Sequence, residues 1–503
     1  MAGTGQSQRD AMVNSLNRAW IIAGRARPDH TPDYQSYTRL GPITWNIGSV
    51  NPIFDPDPQK LGSFIQTGSF RDAEERPTTS LISHYAADIK SALIDLATKK
   101  CPADIQLHIG KCEDPSIFEN YVKAIIFEDV QLETYSTEDL GALEPGEQGK
   151  VDETGEISAA RFYEFRPLSV SARTPSAVTN RVIDVVICDN QSCGDCEDES
   201  DGCQRIIAIT NAAGGSPSTP ADIVYSLDKG LTWLAHDIDS LDAAEDPNEV
   251  DCVGRYVVVV SNASGSLHYA PLAELKAGVD PDFTEVSTGF VVNGEPNAIH
   301  SVGRKAYIVG DLGYIYITTD PTAGVTPIDE GSATVAVLNA VYGLSEEFAV
   351  AVGNDGAIIV INNDLASSLT TTPIAIGEDI ISVFVKNRKE WFIGTASGNF
   401  WYTLDGGETW TQKVLDGSPT AVTAIDMPTA SVMYVSATLT SGGTVYLSIN
   451  GGQSFERLPS DTGVFPPNDV IDAIAVCSFD PDFFVAVGLG DDATDGFIAI
   501  GND

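Results

Sequence analysis

The chain is poor in positive charge, in histidine and in long apolar runs, and each shortage closes off a class of function. Lys and Arg number 29 against 71 Asp and Glu, a formal net charge of −42 over 503 residues. A chain of that sign repels a phosphate backbone, which excludes nucleic-acid binding by phosphate neutralisation; the surplus otherwise serves solubility. The six histidines (His30, His84, His108, His236, His268 and His300) are isolated from one another, and each reads as a surface or satisfied core group and not as a metal ligand. No apolar run approaches membrane-spanning length, the run Tyr256-Val257-Val258-Val259-Val260 being that of a strand. The first ten residues are polar and lack the apolar core of a signal peptide, so a soluble protein made in a cytoplasm, with no membrane partner, is expected. There is no Walker loop, no Gly-x-Ser-x-Gly elbow and no paired acid–base signature, so neither catalysis nor a cofactor or metal is expected.

What is present is a repeat. Thr403-Leu404-Asp405-Gly406-Gly407-Glu408-Thr409-Trp410 follows an aromatic run, Phe400-Trp401-Tyr402. Related phrases stand at Ser448-Ile449-Asn450-Gly451-Gly452-Gln453-Ser454-Phe455 and Ser226-Leu227-Asp228-Lys229-Gly230-Leu231-Thr232-Trp233. The shared pattern is Ser/Thr-x-Asp/Asn-x-Gly-x-Ser/Thr-aromatic. An Asp or Asn after a strand accepts hydrogen bonds from N–H groups ahead of it, and Gly takes backbone angles that a side chain resists. The phrase therefore encodes a strand–turn–strand staple, with structural and not catalytic roles for Ser226, Asp228, Gly230, Trp233, Thr403, Asp405, Gly407, Trp410, Ser448, Asn450, Gly452 and Phe455. Apolar strands recur around these turns. With Tyr225, Tyr269, Tyr316, Val360, Tyr402 and Tyr446 taken as equivalent, and Ile498 after them, the spacing is close to 45 residues, as expected of a β-propeller blade of four short strands. Seven blades over 174–503 are predicted, with six or eight as the alternatives. Their closure needs a strand from the start of the domain, and 180–188 reads either as that strand or as the first strand of blade one.

Residues 1–173 read differently. A short amphipathic start (Met12, Leu16, Trp20) leads to an extended arm over 25–37, a strand near Trp45 and a Pro-, Gly- and Asp-rich stretch over 51–78. A helix is predicted over 80–100, with Ile82, Tyr85, Ile89, Leu93 and Leu96 on one face and Pro102 ending it. Strands follow at Ile105-Leu107-Ile109, over 121–135 and over 162–170, with an acidic loop over 138–156. The fold class is mainly β: an N-terminal sandwich or barrel with one helix, then the propeller.

Four of the eight cysteines, Cys188, Cys193, Cys196 and Cys203, cluster in an acidic stretch. The spacing allows two disulfides, a four-thiolate zinc site or free thiols. Cys101 and Cys112 read as a bridge or as separate buried thiols, and Cys252 and Cys477 as packing residues.

The turn phrase resembles the Asp-box of the BNR-repeat families, which sits at the outer edge of propeller blades. Sialidases share those blades, but their arginine triad and Arg-x-Pro entry motif are not matched: Phe165-Arg166-Pro167 lacks the intervening residue. The order of elements in 1–173, ending in Phe162-Tyr163-Glu164-Phe165-Arg166-Pro167-Leu168, resembles the tail tube proteins of long-tailed phages. That resemblance implies a virion protein assembled in a host cytoplasm, stacked as homo-oligomeric rings against other tail proteins. DNA would pass through the tube without specific binding, and the propeller would project outward, able to touch a host surface glycan. The alternative is a non-enzymatic propeller that binds a glycan or a protein, with 1–173 as an adaptor.

Overall fold

The computed structural model describes the backbone of the strands between residues 18 and 165. From 170 to 501 it describes all but stretches of connection, the longest being 189–204, 212–221, 370–377 and 459–469. The chain forms two units, Met1–Pro167 and Leu168–Asp503.

In the first unit every pairing is antiparallel. The sheet runs Asp33–Arg39, Arg18–Ala23, Ala103–Gly110, Tyr121–Asp139, Lys150–Ser158, Thr78–Ala86, Trp45–Asn46. The long strand Tyr121–Asp139 changes neighbours along its length. Its first half lies between Ala103–Gly110 and Arg161–Phe165, its second half beside Lys150–Ser158. Ile126 and Phe127 on it are fully buried.

Several expectations for this unit are corrected. The helix does not begin at 80, because Thr78–Ala86 is a strand paired along its length with Lys150–Ser158. The run Thr78-Thr79-Ser80-Leu81-Ile82 suits a pleated surface, and pairing with a neighbour outweighs the three-and-four spacing of the apolar residues. Residues 87–100 lie outside the described residues, as do Cys101 and Cys112. The acidic loop expected over 138–156 overlaps the strand Lys150–Ser158, and the Pro-rich stretch over 51–78 overlaps the hairpin Val50–Pro56 and Phe64–Arg71. What the described strands establish is an antiparallel β unit.

The second unit is a ring of seven four-stranded antiparallel sheets. The inner strands are Val182–Cys188, Pro247–Val253, Pro296–Val302, Leu338–Ser345, Ile380–Val385, Ala421–Asp426 and Val470–Val476, and each touches the next, the last returning to the first. The seven residues whose spacing gave the repeat all lie in third strands. The second strands, such as Arg205–Thr210 and Tyr256–Ser261, are apolar almost throughout, because both their faces pack against neighbouring blades. The core is thus a circle of clusters between blades; Ile207 and Tyr225 of blade one, for instance, meet Val250 and Val257 of blade two.

Two features shape and close the ring. Each inner strand skips one residue against its neighbour at the same place, between Val182 and Asp184 in blade one and at the matching position in the other six. Such a bulge increases local twist, which a radial blade needs. Blade seven takes its outer strand from the start of the unit: Val170–Ala172 pairs with Gly496–Gly501. The hydroxyl of Thr174 adds to that seam by accepting the Ile498 N–H at 2.9 Å. Closure therefore comes from before 174, and Val182–Cys188 is the inner strand of blade one. The unit accordingly starts earlier than the junction expected at 174.

Candidate functional site

The inner strands of all seven blades enclose a central channel with a cavity of about 490 Å³. Its walls carry Asp184, Glu249, Asp251, His300, Tyr342 and Asp426. None of these residues stood out as a site in the sequence.

The four carboxylates and the imidazole each bond the next blade. Asp184 accepts the Val250 N–H at 2.8 Å. Glu249 accepts Ile299 N–H and Asp251 accepts Ser301 N–H, both at 2.5 Å. His300 Nδ1 accepts the Gly343 N–H at 3.1 Å, and Asp426 accepts the Val476 N–H at 2.7 Å. The bulge residues Asn248, Asn297 and Asn339 donate in the same direction, to the carbonyls of Pro296, Leu338 and Ile380. Inner strands of adjacent blades share no ladder, so these side chains supply the hydrogen bonds between them. At the seam of blades seven and one, Arg181 forms a two-pronged pair with Asp472, at 2.6 and 2.5 Å.

Placing carboxylates here has an electrostatic consequence. Burial pushes Asp184 up to about 7 against the N–H bonds from Val250 and Val185, and the charge of Asp251 adds to the rise. Glu249 is raised well above its ordinary value by burial first and then by Asp184. Burial lowers His300 to about 4, which keeps it a neutral acceptor for Gly343. Among the described residues no group of three or more His, Cys, Asp or Glu could hold a metal ion.

The three Asp-box turns lie between third and fourth strands, at the rim of blades one, five and six. In the first, Ser226 Oγ donates to Asp228 at 2.8 Å and accepts the Gly230 N–H at 2.7 Å; Asp228 accepts both the N–H and the hydroxyl of Thr232, at 2.8 and 2.6 Å. Trp233 closes the turn by donating to the Gly230 carbonyl at 3.1 Å. Thr403, Asp405, Gly407 and Thr409 repeat the arrangement. In the third, Gly452 donates to Ser448 at 2.9 Å, while Asn450 lies outside the described residues. Trp410 packs on Trp391, and Phe455 on Phe400. Burial pushes Asp228 and Asp405 up, but the hydrogen bonds from Thr232 and Thr409 and from the turns prevail and hold both below the usual carboxylate range.

Cys188 forms a disulfide with Cys252, joining the inner strands of blades one and two. Cys477 is disulfide-bonded as well. The reading of Cys252 and Cys477 as simple packing residues is thereby corrected. Cys252 is the last residue but one of its inner strand, where it meets Cys188 of the neighbouring repeat, and Cys477 directly follows the inner strand Val470–Val476. A zinc site made of all four clustered thiols would need Cys188, which is engaged elsewhere; Cys193, Cys196 and Cys203 lie outside the described residues.

The two faces of the ring differ. Connections from first to second and from third to fourth strands, Asp-boxes included, fall on one face; those from second to third strands and from blade to blade fall on the other. On this second face, in blade three, the turn Asp311–Gly313 holds Leu312 on left-handed backbone, φ 56°, with 49% of its surface exposed. A leucine in that conformation costs about 1–2 kcal/mol. The matching position of blade four is Asp355, φ 55°, a residue type that accepts the conformation more readily.

No known family profile matches the chain, and no curated protein matches it. Among solved structures it is similar to YCF48 from Cyanidioschyzon merolae, at 14% identity over 66% of this chain and 98% of that one, with a TM-score of 0.48. It is also similar to the WD40 repeats of RRP9, at 12% identity over 66% of this chain and 96% of that one, TM-score 0.47. Streptogramin B lyase gives 12% identity over 67% of this chain and 97% of that one, TM-score 0.47. These likenesses go no further than fold, and the seven blades stand on the strand pairing itself. The tail-tube resemblance of the N-terminal residues finds no support in them.

Proposed function

We propose that the protein is a non-enzymatic binding protein, whose propeller is a rigid platform that presents a recognition surface on the face built by the second-to-third and blade-to-blade connections. The observation that carries this reading is Leu312. An exposed leucine on left-handed backbone is unfavourable twice over, and such outliers gather at sites of recognition. The channel supports the same reading from the other side. Its carboxylates and its imidazole face the neighbouring blade's backbone, which fits a lock between blades better than an acid–base pair awaiting a substrate.

The full chain probed in parallel with a glycan array and a displayed peptide library should show saturable binding without chemical change of the ligand. Hydrolysis or transfer of a bound ligand would overturn the non-enzymatic reading, and failure to retain any member of either collection would overturn the binding reading. The tail-tube role remains an expectation of the N-terminal sequence. It requires rings or tubes in electron micrographs of the purified chain.

A further inference from the structure

The partner's chemistry is written in the same face. Leu312 has a neighbour of its own kind. The turn glycine Gly313 packs so closely on the next connection that an added Cβ would lie 2.0 Å from the Thr334 carbonyl oxygen. Val335, the following residue, is 76% exposed. From there the connection runs on to the turn of blade four, where Asn354 N–H donates to the Val337 carbonyl at 2.9 Å. Two exposed aliphatic side chains therefore sit on a surface whose backbone is fixed by short, hydrogen-bonded turns.

The rim of this surface is acidic. Asp311 precedes Leu312, Asp355 occupies the matching turn of blade four, and Asp379 approaches from blade five by accepting the Asp355 N–H at 3.0 Å. Across blades three to five the connections of this face contain no Lys or Arg at all. Of the basic residues of these blades, Arg304, Lys386, Arg388 and Lys389 lie in the turns of the opposite face, Lys305 opens a second strand beside them, and Lys413 ends the fourth strand of blade five. The net charge of −42 is therefore unevenly spread, and here it surrounds an apolar centre with charge of one sign.

We infer that this patch docks a segment of a partner protein in which an aliphatic or aromatic side chain is flanked by Lys or Arg. The inference rests on the binding-protein reading and narrows it to one face and one kind of partner. The apolar residue fills the step between Leu312 and Val335, where burial supplies the anchor, while the flanking cations meet Asp311, Asp355 and Asp379 and set association rate and selectivity. Two exposed aliphatic side chains at the centre of the patch favour a peptide side chain over a sugar ring as the occupant.

The test pans a displayed dodecapeptide library against the immobilised full-length chain and measures the selected peptides by fluorescence anisotropy. The expected peptides carry Lys or Arg beside Leu, Ile or Phe, and bind more weakly as salt is raised. Leu312→Asn should weaken them at least tenfold without lowering stability, because asparagine tolerates the left-handed backbone. Asp355→Lys should weaken them similarly, and Lys389→Ala on the opposite face should not. Selected peptides that lack basic residues, or that bind Leu312→Asn as well as the parent, would overturn the inference and leave the binding-protein reading standing. Self-association abolished by Leu312→Asn, with no peptide enriched, would assign the patch to a second copy of this chain and overturn the inference. No binding in either form would remove both.

Discussion

Replacing Asp184 by asparagine should remove a loss of propeller stability that sets in as pH rises. Asp184 is a half-buried residue of the channel wall, close to Glu249 and Asp251, and loss of hydration there holds its carboxyl at about 7 against about 3.9 for an unfolded chain. Below pH 4 the folded and unfolded states are both protonated, and the site carries no penalty. Between pH 4 and 7 the unfolded chain releases its proton while the folded one keeps it, so stability is lost as pH rises. A gap of about three units at 1.36 kcal/mol each gives about 4 kcal/mol over that window. Asparagine keeps the oxygen that accepts the Val250 N–H and cannot ionise. Urea unfolding of both proteins across pH 4 to 8 isolates the effect, because general repulsion among the other acidic residues is common to both and cancels in the difference. The asparagine variant should gain on the parent by several kcal/mol as pH rises. A difference that stays flat, or that runs the other way, would refute the claim that this carboxyl is held protonated by burial.

Three further outcomes are expected. Arg181→Ala leaves Asp472 buried at the seam without its cation, and should lower stability by roughly 2 kcal/mol, a value tempered by the exposure of the arginine; a double mutant with Asp472→Asn recovers part of the loss in urea titration. Asp228→Ala removes the acceptor for both Thr232 donors and for Ser226, a loss of about 2 kcal/mol. Since Asp228 lies below the usual range, its contribution holds above about pH 4 and fades as pH falls through the folded value, so parent and variant should converge in acid. Cys252→Ala opens a disulfide that spans 64 residues, a loss of about 4 kcal/mol on chain-entropy grounds, readable as unfolding at lower urea and as a thiol newly reactive at Cys188.

The propeller was legible because its signals are local and repeated. A turn such as Thr403–Trp410 needs a hydroxyl, a carboxylate and a glycine at fixed offsets, and a residue such as Tyr446 recurs at a fixed step in the third strands. The channel was not legible. Asp184, Asp251 and Asp426 are ordinary acidic residues in an acidic chain, and their partners are backbone groups 66, 50 and 50 residues away. One signal was available: Asn248, Asn297 and Asn339 each take the second place of an inner strand. The helix expected at 80 failed for the opposite reason. Ile82 and Tyr85 have helical spacing, but a strand more than sixty residues on, Lys150–Ser158, decides their conformation.

The last blade carries a consequence for synthesis. Thr174 and Ile498, bonded across the seam, are 324 residues apart in the chain. At about 5–20 residues per second a ribosome takes roughly 15–65 s to make the intervening blades. Throughout that interval Val170–Ala172 is a finished strand whose neighbour does not yet exist, and the blades already made form an open arc with an apolar sheet face uncovered at either end. Whatever shields that strand and those faces during the wait decides whether the arc closes on itself or on another chain.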